Sequence, residues 1–230
     1  MVNNNIARIR DRISLACGRC GRDASSVTLI AVTKYRPVED LLPVLETGIL
    51  DIGENKVQEA LLKFDAIRNT PYAQRVKLHM IGHLQTNKAK DAVRVFDLIH
   101  SVDSRRIALE IDKEAAKINK VQDILIEVKT SEEETKYGVI PEDLAGLVEF
   151  VSGLAHIRLK GFMTMAPAAA PAQSAGLYFA KLKKLSDIVN ASRGPGQALA
   201  ELSMGMSDDF EEAIVQGSTM VRVGRAIFEG

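Results

Sequence analysis

The chain has 230 residues, which suits one domain and lies at the short end for an eight-unit α/β barrel. Apolar residues make up 46% and charged residues 26%, so a core can form without a disulfide or metal staple. Lys plus Arg equals Asp plus Glu, at 30 each; no global field draws nucleic acid or an anionic membrane, and an anionic ligand needs a local site.

The first residues, 1–5, carry no apolar leader, and no apolar run reaches membrane-spanning length. Both features point to the cytoplasm. Ile6, Ile9, Ile13 and Leu15 mark an amphipathic helix over residues 4–20. Cys17 and Cys20 at its end form a lone CxxC. No second Cys pair exists, and His79, His83, His100 and His156 lack zinc-finger spacing, so the pair reads as incidental to a helix end rather than as a metal or redox site.

Eight short apolar, β-branched runs follow at βα spacing: 27–32, 49–53, 76–81, 95–99, 124–128, 157–162, 198–202 and 219–223. Helical patterns fall between them at 38–45, 56–67, 105–118, 141–151, 174–189 and 208–215. Val57, Leu61 and Phe64 mark the second of these, and Asp103 or Ser104 caps the third. Pro141 opens the fourth, Leu177, Leu182, Leu185 and Val189 line the fifth, and acids occupy the first turn of the sixth. Strand–helix alternation implies parallel strands with right-handed crossovers. Eight units predict a single (β/α)8 TIM barrel over 1–230, with an extra N-terminal helix; an open doubly wound sheet is the alternative.

In a barrel the polar segments after each strand meet at the C-terminal mouth. Lys34 directly ends the first strand. Either its amine lies over the core, where desolvation frees it to attack a carbonyl, or it snorkels to water; spacing leaves both open. The ends of strands seven and eight are the usual phosphate site of such barrels. Ser203 and Ser207 offer hydroxyls there, Asp208 begins a helix, Gly224 permits close backbone approach, and Arg225 adds charge. A turn glycine and a helix N-cap would explain either segment alone. Together, across from Lys34, they suit an aldehyde that carries a phosphate, and pyridoxal 5′-phosphate (PLP) fits that description. His83 could be an acid/base or a structural residue. His79 and His156, read as lying within strands, are expected to be packed, and Met163, Met165, Met204 and Met206 are expected to fill the barrel.

Six ordered motifs then carry a resemblance: LIAVTK at 29–34, DIGEN at 51–55, HMIGHLQTNK at 79–88, GFMTMAP at 161–167, LSMGMSDDF at 202–210 and MVRVG at 220–224. In these the chain resembles the pyridoxal phosphate homeostasis family, cytosolic proteins once named after proline synthetase co-transcription, with the alanine racemase N-terminal fold (PLP fold type III). The resemblance implies that Lys34 carries PLP as an internal aldimine and that Arg222 faces the pyridine nitrogen. It also implies that Ser203, Gly224 and residue 225 hold the phosphate, and that Asn55 lies beside the ring. Arg225 departs from the small hydroxyl residue that many members have; a backbone N–H contact survives that change and a side-chain hydroxyl contact does not.

Alanine racemases add a C-terminal β domain that supplies a Tyr base. This chain stops soon after its eighth strand, and Tyr35, Tyr72, Tyr137 and Tyr178 cannot be placed as that base. The resemblance therefore implies a PLP-binding homeostasis protein that releases its cofactor to apo-enzymes, with little or no racemase activity, as a monomer or weak dimer. The alternatives are a PLP-dependent amino-acid racemase, a Schiff-base lyase, or an aldolase barrel that uses Lys34 without cofactor. Lys56, Lys88 and Lys136 are candidates for a second, storage-type lysine.

Overall fold

The computed structural model describes residues 1–133, 137–167 and 172–230; Lys136 lies outside the described residues. Its eight strands are β1 (Thr28–Val32), β2 (Asp51–Glu54), β3 (Lys77–Met80), β4 (Leu98–Val102), β5 (Gln122–Glu127), β6 (Ile157–Met163), β7 (Glu201–Ser203) and β8 (Met220–Val223). They pair in chain order, all parallel, and β1 closes on β8 with Thr28 opposite Met220 and Ala31 opposite Val223. That closing ladder excludes the open sheet and establishes the barrel.

The helices are α1 (Val2–Arg19), α2 (Leu41–Glu46), α3 (Val57–Ile67), α4 (Ala89–Val95), α5 (Arg105–Ala116), α6 (Leu144–Ser152), α7 (Ala172–Ala191), α8 (Phe210–Val215) and α9 (Arg225–Phe228). None is long and apolar enough to cross a membrane, among the described residues. The short helices α4 and α9 were not expected. The run 95–99, read as one strand, divides: Val95 ends α4, and β4 begins only at Leu98. A continuous apolar run does not distinguish a buried helix end from a strand start. The helix expected from Asp208 begins at Phe210, and Ser104, the N-cap of α5, makes no side-chain cap bond.

Three apolar stripes lie differently from the expected ones. On α1, Ile6, Ile9 and Ile13 are buried as expected, but the stripe continues through Ala16 and Cys17 while Leu15 points outward. Burial pushes the Cys17 thiol up, opposite to a redox-active thiolate. On α7, Phe179 and Leu182 are buried and Leu177 is exposed. On α3 the buried face is Val57, Ala60, Lys63 and Ile67, with Leu61 and Phe64 at its border.

Most buried apolar side chains form one layer between barrel and helices. Ile30, Leu98, Leu125, Met163 and Met220 form a small separate cluster, with Met165 against it. Met163 and Met165 pack in this cluster as expected, Met204 is buried in the larger layer instead, and Met206 lies at the surface. Between β6 and β7 the backbones come so close that a β-carbon on Gly161 would fall 1.9 Å from the Glu201 carbonyl oxygen.

Candidate functional site

The chain leaves β1 through a tight turn, in which the Arg36 amide donates to the Thr33 carbonyl at 3.0 Å. Tyr35 sits in it at φ 61°, the left-handed region. Lys34 is therefore a turn residue, and its side chain is exposed. Of the two readings left open, the exposed one holds: β1 ends at Val32, and Lys34 lies in the turn beyond it.

What is buried lies beneath that turn. The Thr33 hydroxyl donates to Glu54 Oε1 at 2.5 Å, and Lys63 Nζ donates to the Thr33 carbonyl at 2.5 Å. Lys63 also forms an ion pair with Glu54, and both are buried. The Tyr35 amide donates to Glu59 Oε2 at 3.2 Å. Both neighbours of Lys34 are thus pinned to β2 or α3. Sequence reasoning missed Glu54 and Lys63 as a pair; the available signal was a lysine on the apolar stripe of α3.

Arg222, on β8, is 3% exposed. Its Nη1 donates to Ser203 Oγ at 2.6 Å and its Nη2 to the Thr164 carbonyl at 3.0 Å. Burial pushes its pKa down to about 10, partly offset by the Glu127 and Asp209 carboxylates, and it stays charged at neutral pH. Ser203 Oγ also lies 2.9 Å from His100 Nδ1. β4 and β7 are not neighbours, so this contact crosses the barrel interior. His79, expected as packed, is buried in β3 and hydrogen-bonded on both ring nitrogens. His156 precedes β6 and is partly exposed, rather than lying within a strand.

The loops after β7 and β8 meet where a phosphate was expected. The Ala226 amide donates to Ser207 Oγ at 3.3 Å. Gly224 runs against the end of β1, where a β-carbon would lie 3.2 Å from the Val32 carbonyl oxygen. Arg225 is exposed and paired with Asp208. Ser203 does not join this group: its hydroxyl is fully buried and engaged by Arg222 and His100. The hydroxyl beside Gly224 and Arg225 is that of Ser207, four positions further on. Asn55 is half-buried at the end of β2 and lines a cleft of about 150 Å³ with Lys56, His83 and Lys88. His83 stacks on Tyr137 with ring centres 3.7 Å apart. Two larger clefts of about 450 Å³ open elsewhere and border neither Lys34 nor Arg222, so side-chain chemistry rather than cavity size marks the site.

Comparison with known proteins places this arrangement. Residues 5–230 match the family model of the alanine racemase N-terminal domain. A pyridoxal phosphate homeostasis protein of Aquifex aeolicus is 41% identical over 97% of this chain and 95% of its own length. That of Escherichia coli K12 is 34% identical over 99% and 95%. The chain belongs to the pyridoxal phosphate homeostasis protein family.

Solved structures agree with that membership. PipY of Synechococcus elongatus, determined with PLP bound, matches with a TM-score of 0.87 and 32% identity over 99% of this chain and all of its own. An unknown protein from Bifidobacterium adolescentis matches with a TM-score of 0.92 and 36% identity, over 99% of this chain and 94% of its own. Alanine racemase of Clostridium difficile shares the fold at 15% identity and a TM-score of 0.77, and the match spans 56% of that longer chain.

Proposed function

We propose that this protein binds PLP at the mouth of its barrel and serves a cytoplasmic homeostasis role, holding the cofactor and releasing it to apo-enzymes. The observation that carries the reading is Arg222: a buried guanidinium clamped by Ser203 and Thr164 on β8, the strand that pairs with β1, and Lys34 lies in the turn that follows β1. The residues present fit the group. Gly224 leaves backbone room that a β-carbon would narrow against β1, and the Ser207 hydroxyl stands beside the first turn of α9.

PLP, when bound, supplies an aldehyde that condenses reversibly with a primary amine. Lys34 would offer that amine. Gly224, the amides of Arg225 and Ala226, and Ser207 would hold the phosphate, with Ser207 taking the place first given to Ser203. Asn55 would lie beside the ring. Arg222 would face the ring nitrogen; it does not give up a proton there, so the ring withdraws electrons weakly and proton abstraction from an amino acid gains little. Holding and release, rather than racemisation, follow from that.

The test is borohydride reduction of the yellow holo-protein followed by peptide mapping. The label is expected on Lys34, and Lys34→Ala should be colourless. A coloured Lys34→Ala protein, or a label mapped elsewhere, refutes the assignment. Rapid racemisation of L-amino acids by the holo-protein would refute the carrier reading.

A further inference from the structure

Five polar side chains form one unbroken chain through the barrel. Asp51 Oδ1 lies 3.0 Å from His79 Nε2, and His79 Nδ1 lies 2.9 Å from His100 Nε2. His100 Nδ1 lies 2.9 Å from Ser203 Oγ, which accepts from Arg222 at 2.6 Å. The chain starts at the first residue of β2 and ends at the mouth, crossing β3, β4, β7 and β8. Its three middle members and Arg222 are buried, while Asp51 is partly exposed.

With both rings neutral, the carboxylate end dictates the direction of every bond. An ionised carboxylate only accepts, and a guanidinium only donates. His79 must then carry its proton on Nε2, for Asp51, and accept at Nδ1. His100 must carry its proton on Nε2, for His79, and accept at Nδ1 from the Ser203 hydroxyl. The oxygen of Ser203 then turns its lone pairs to Arg222. With both rings neutral, any other pair of tautomers sets two acceptors face to face in a dry interior. Burial, and then His79 and Arg222, hold His100 well below its usual pKa.

We propose that His79 and His100 are positioning residues: anchored at Asp51, they lock the Ser203 hydroxyl as an acceptor and so fix the plane in which Arg222 meets its ligand at the mouth. The hydrogen-bond direction stands on this chain's own residues. Its consequence for the ligand rests on the PLP reading.

The two parts are separable by experiment. In ¹⁵N-labelled protein without added PLP, long-range ¹H–¹⁵N spectra near neutral pH are expected to show both rings neutral with the proton on Nε2. An Nδ1–H tautomer or a charged ring at either position overturns the proposal. PLP release to an apo-enzyme is then compared among the wild type, His100→Leu and His100→Gln. Loss of a charge-assisted contact corresponds to roughly tenfold to a hundredfold, so release from His100→Leu is expected to be at least about tenfold faster. Gln can donate and accept in the same direction and should restore most of the retention. Wild-type release from His100→Leu, by a wild-type protein that binds PLP, overturns the positioning role and leaves the PLP reading intact. If the wild type binds no PLP, that reading fails and the spectra still decide the chain. Should His100→Leu not fold, Asp51→Leu carries the test: loss of the fixed tautomers supports the proposal, and unchanged spectra overturn it.

Discussion

Replacing His100 by Gln should remove a pH dependence from the stability of this protein. In the unfolded chain the imidazole titrates near its ordinary value of 6.5. In the fold, burial first, and then His79 and Arg222, hold it neutral far below that. Acid therefore protonates the unfolded state but not the native one. The native state keeps the full benefit above pH 6.5 and loses it as pH falls. One excess proton on the unfolded side amounts to ~1.4 kcal/mol per pH unit, which integrates to roughly 2 kcal/mol between about pH 7.5 and about pH 5. Against a total of ~5–15 kcal/mol for a domain, that is measurable. Urea unfolding of the wild type and His100→Gln at both pH values gives the result directly. The wild type should be the more stable at the higher pH, and its advantage should shrink by roughly 2 kcal/mol at the lower. An advantage that stays constant within about 0.5 kcal/mol would refute the buried neutral imidazole.

The Lys63–Glu54 pair makes a second prediction. Lys63→Met leaves Glu54 buried without its counter-charge and should cost about 3–5 kcal/mol, and adding Glu54→Gln should recover part of it; thermal melts of the three proteins decide. Arg225→Thr removes only an exposed ion pair with Asp208, so PLP binding should change by less than about twofold; a larger loss in a binding titration would mean that the guanidinium itself holds the phosphate. Gly161→Ala would drive a methyl group into the Glu201 carbonyl and should lower stability by about 3 kcal/mol, read as a drop in Tm.

The sequence made the barrel legible because its strands, covered on both faces, read as continuous apolar runs at regular spacing. It could not reveal α9, a single turn, or α4, whose seven residues merge with the run that feeds β4. Arg222 was reached through family motifs, since nothing in a β-strand pattern distinguishes an arginine facing a barrel interior from one facing out. Ser203 lies apart from the Gly224–Arg225 turn for a physical reason. The segment after β7 offers two hydroxyls, and which one joins Arg222 depends on where β7 ends. It ends at Ser203, which keeps that hydroxyl within the barrel, and the chain then continues through Gly205, at φ 94°, toward Ser207. The His79–His100–Ser203 chain was invisible for a similar reason: its decisive contact joins β4 to β7, and no local pattern encodes a contact across the barrel.

The two halves of the site differ mechanically, and the difference bears on holding versus catalysis. Arg222 belongs to the interior, where it is buried and held by Ser203 and the Thr164 carbonyl. Lys34 belongs to the surface, on a turn whose two flanking residues are fixed by Glu54, Lys63 and Glu59 while its own side chain stays exposed. A catalytic lysine is usually enclosed, because water competes with the chemistry and screens the charges that guide it. A carrier needs the opposite at this position. Its carbonyl–amine bond must open to water or to an incoming amine, while the rest of the ligand is held by groups that do not move. A lysine on a fixed turn, beside a rigid cation and a close-packed glycine, meets that requirement, and on the proposed function the bond at Lys34 is the part of the site left to open while the rest holds the ligand.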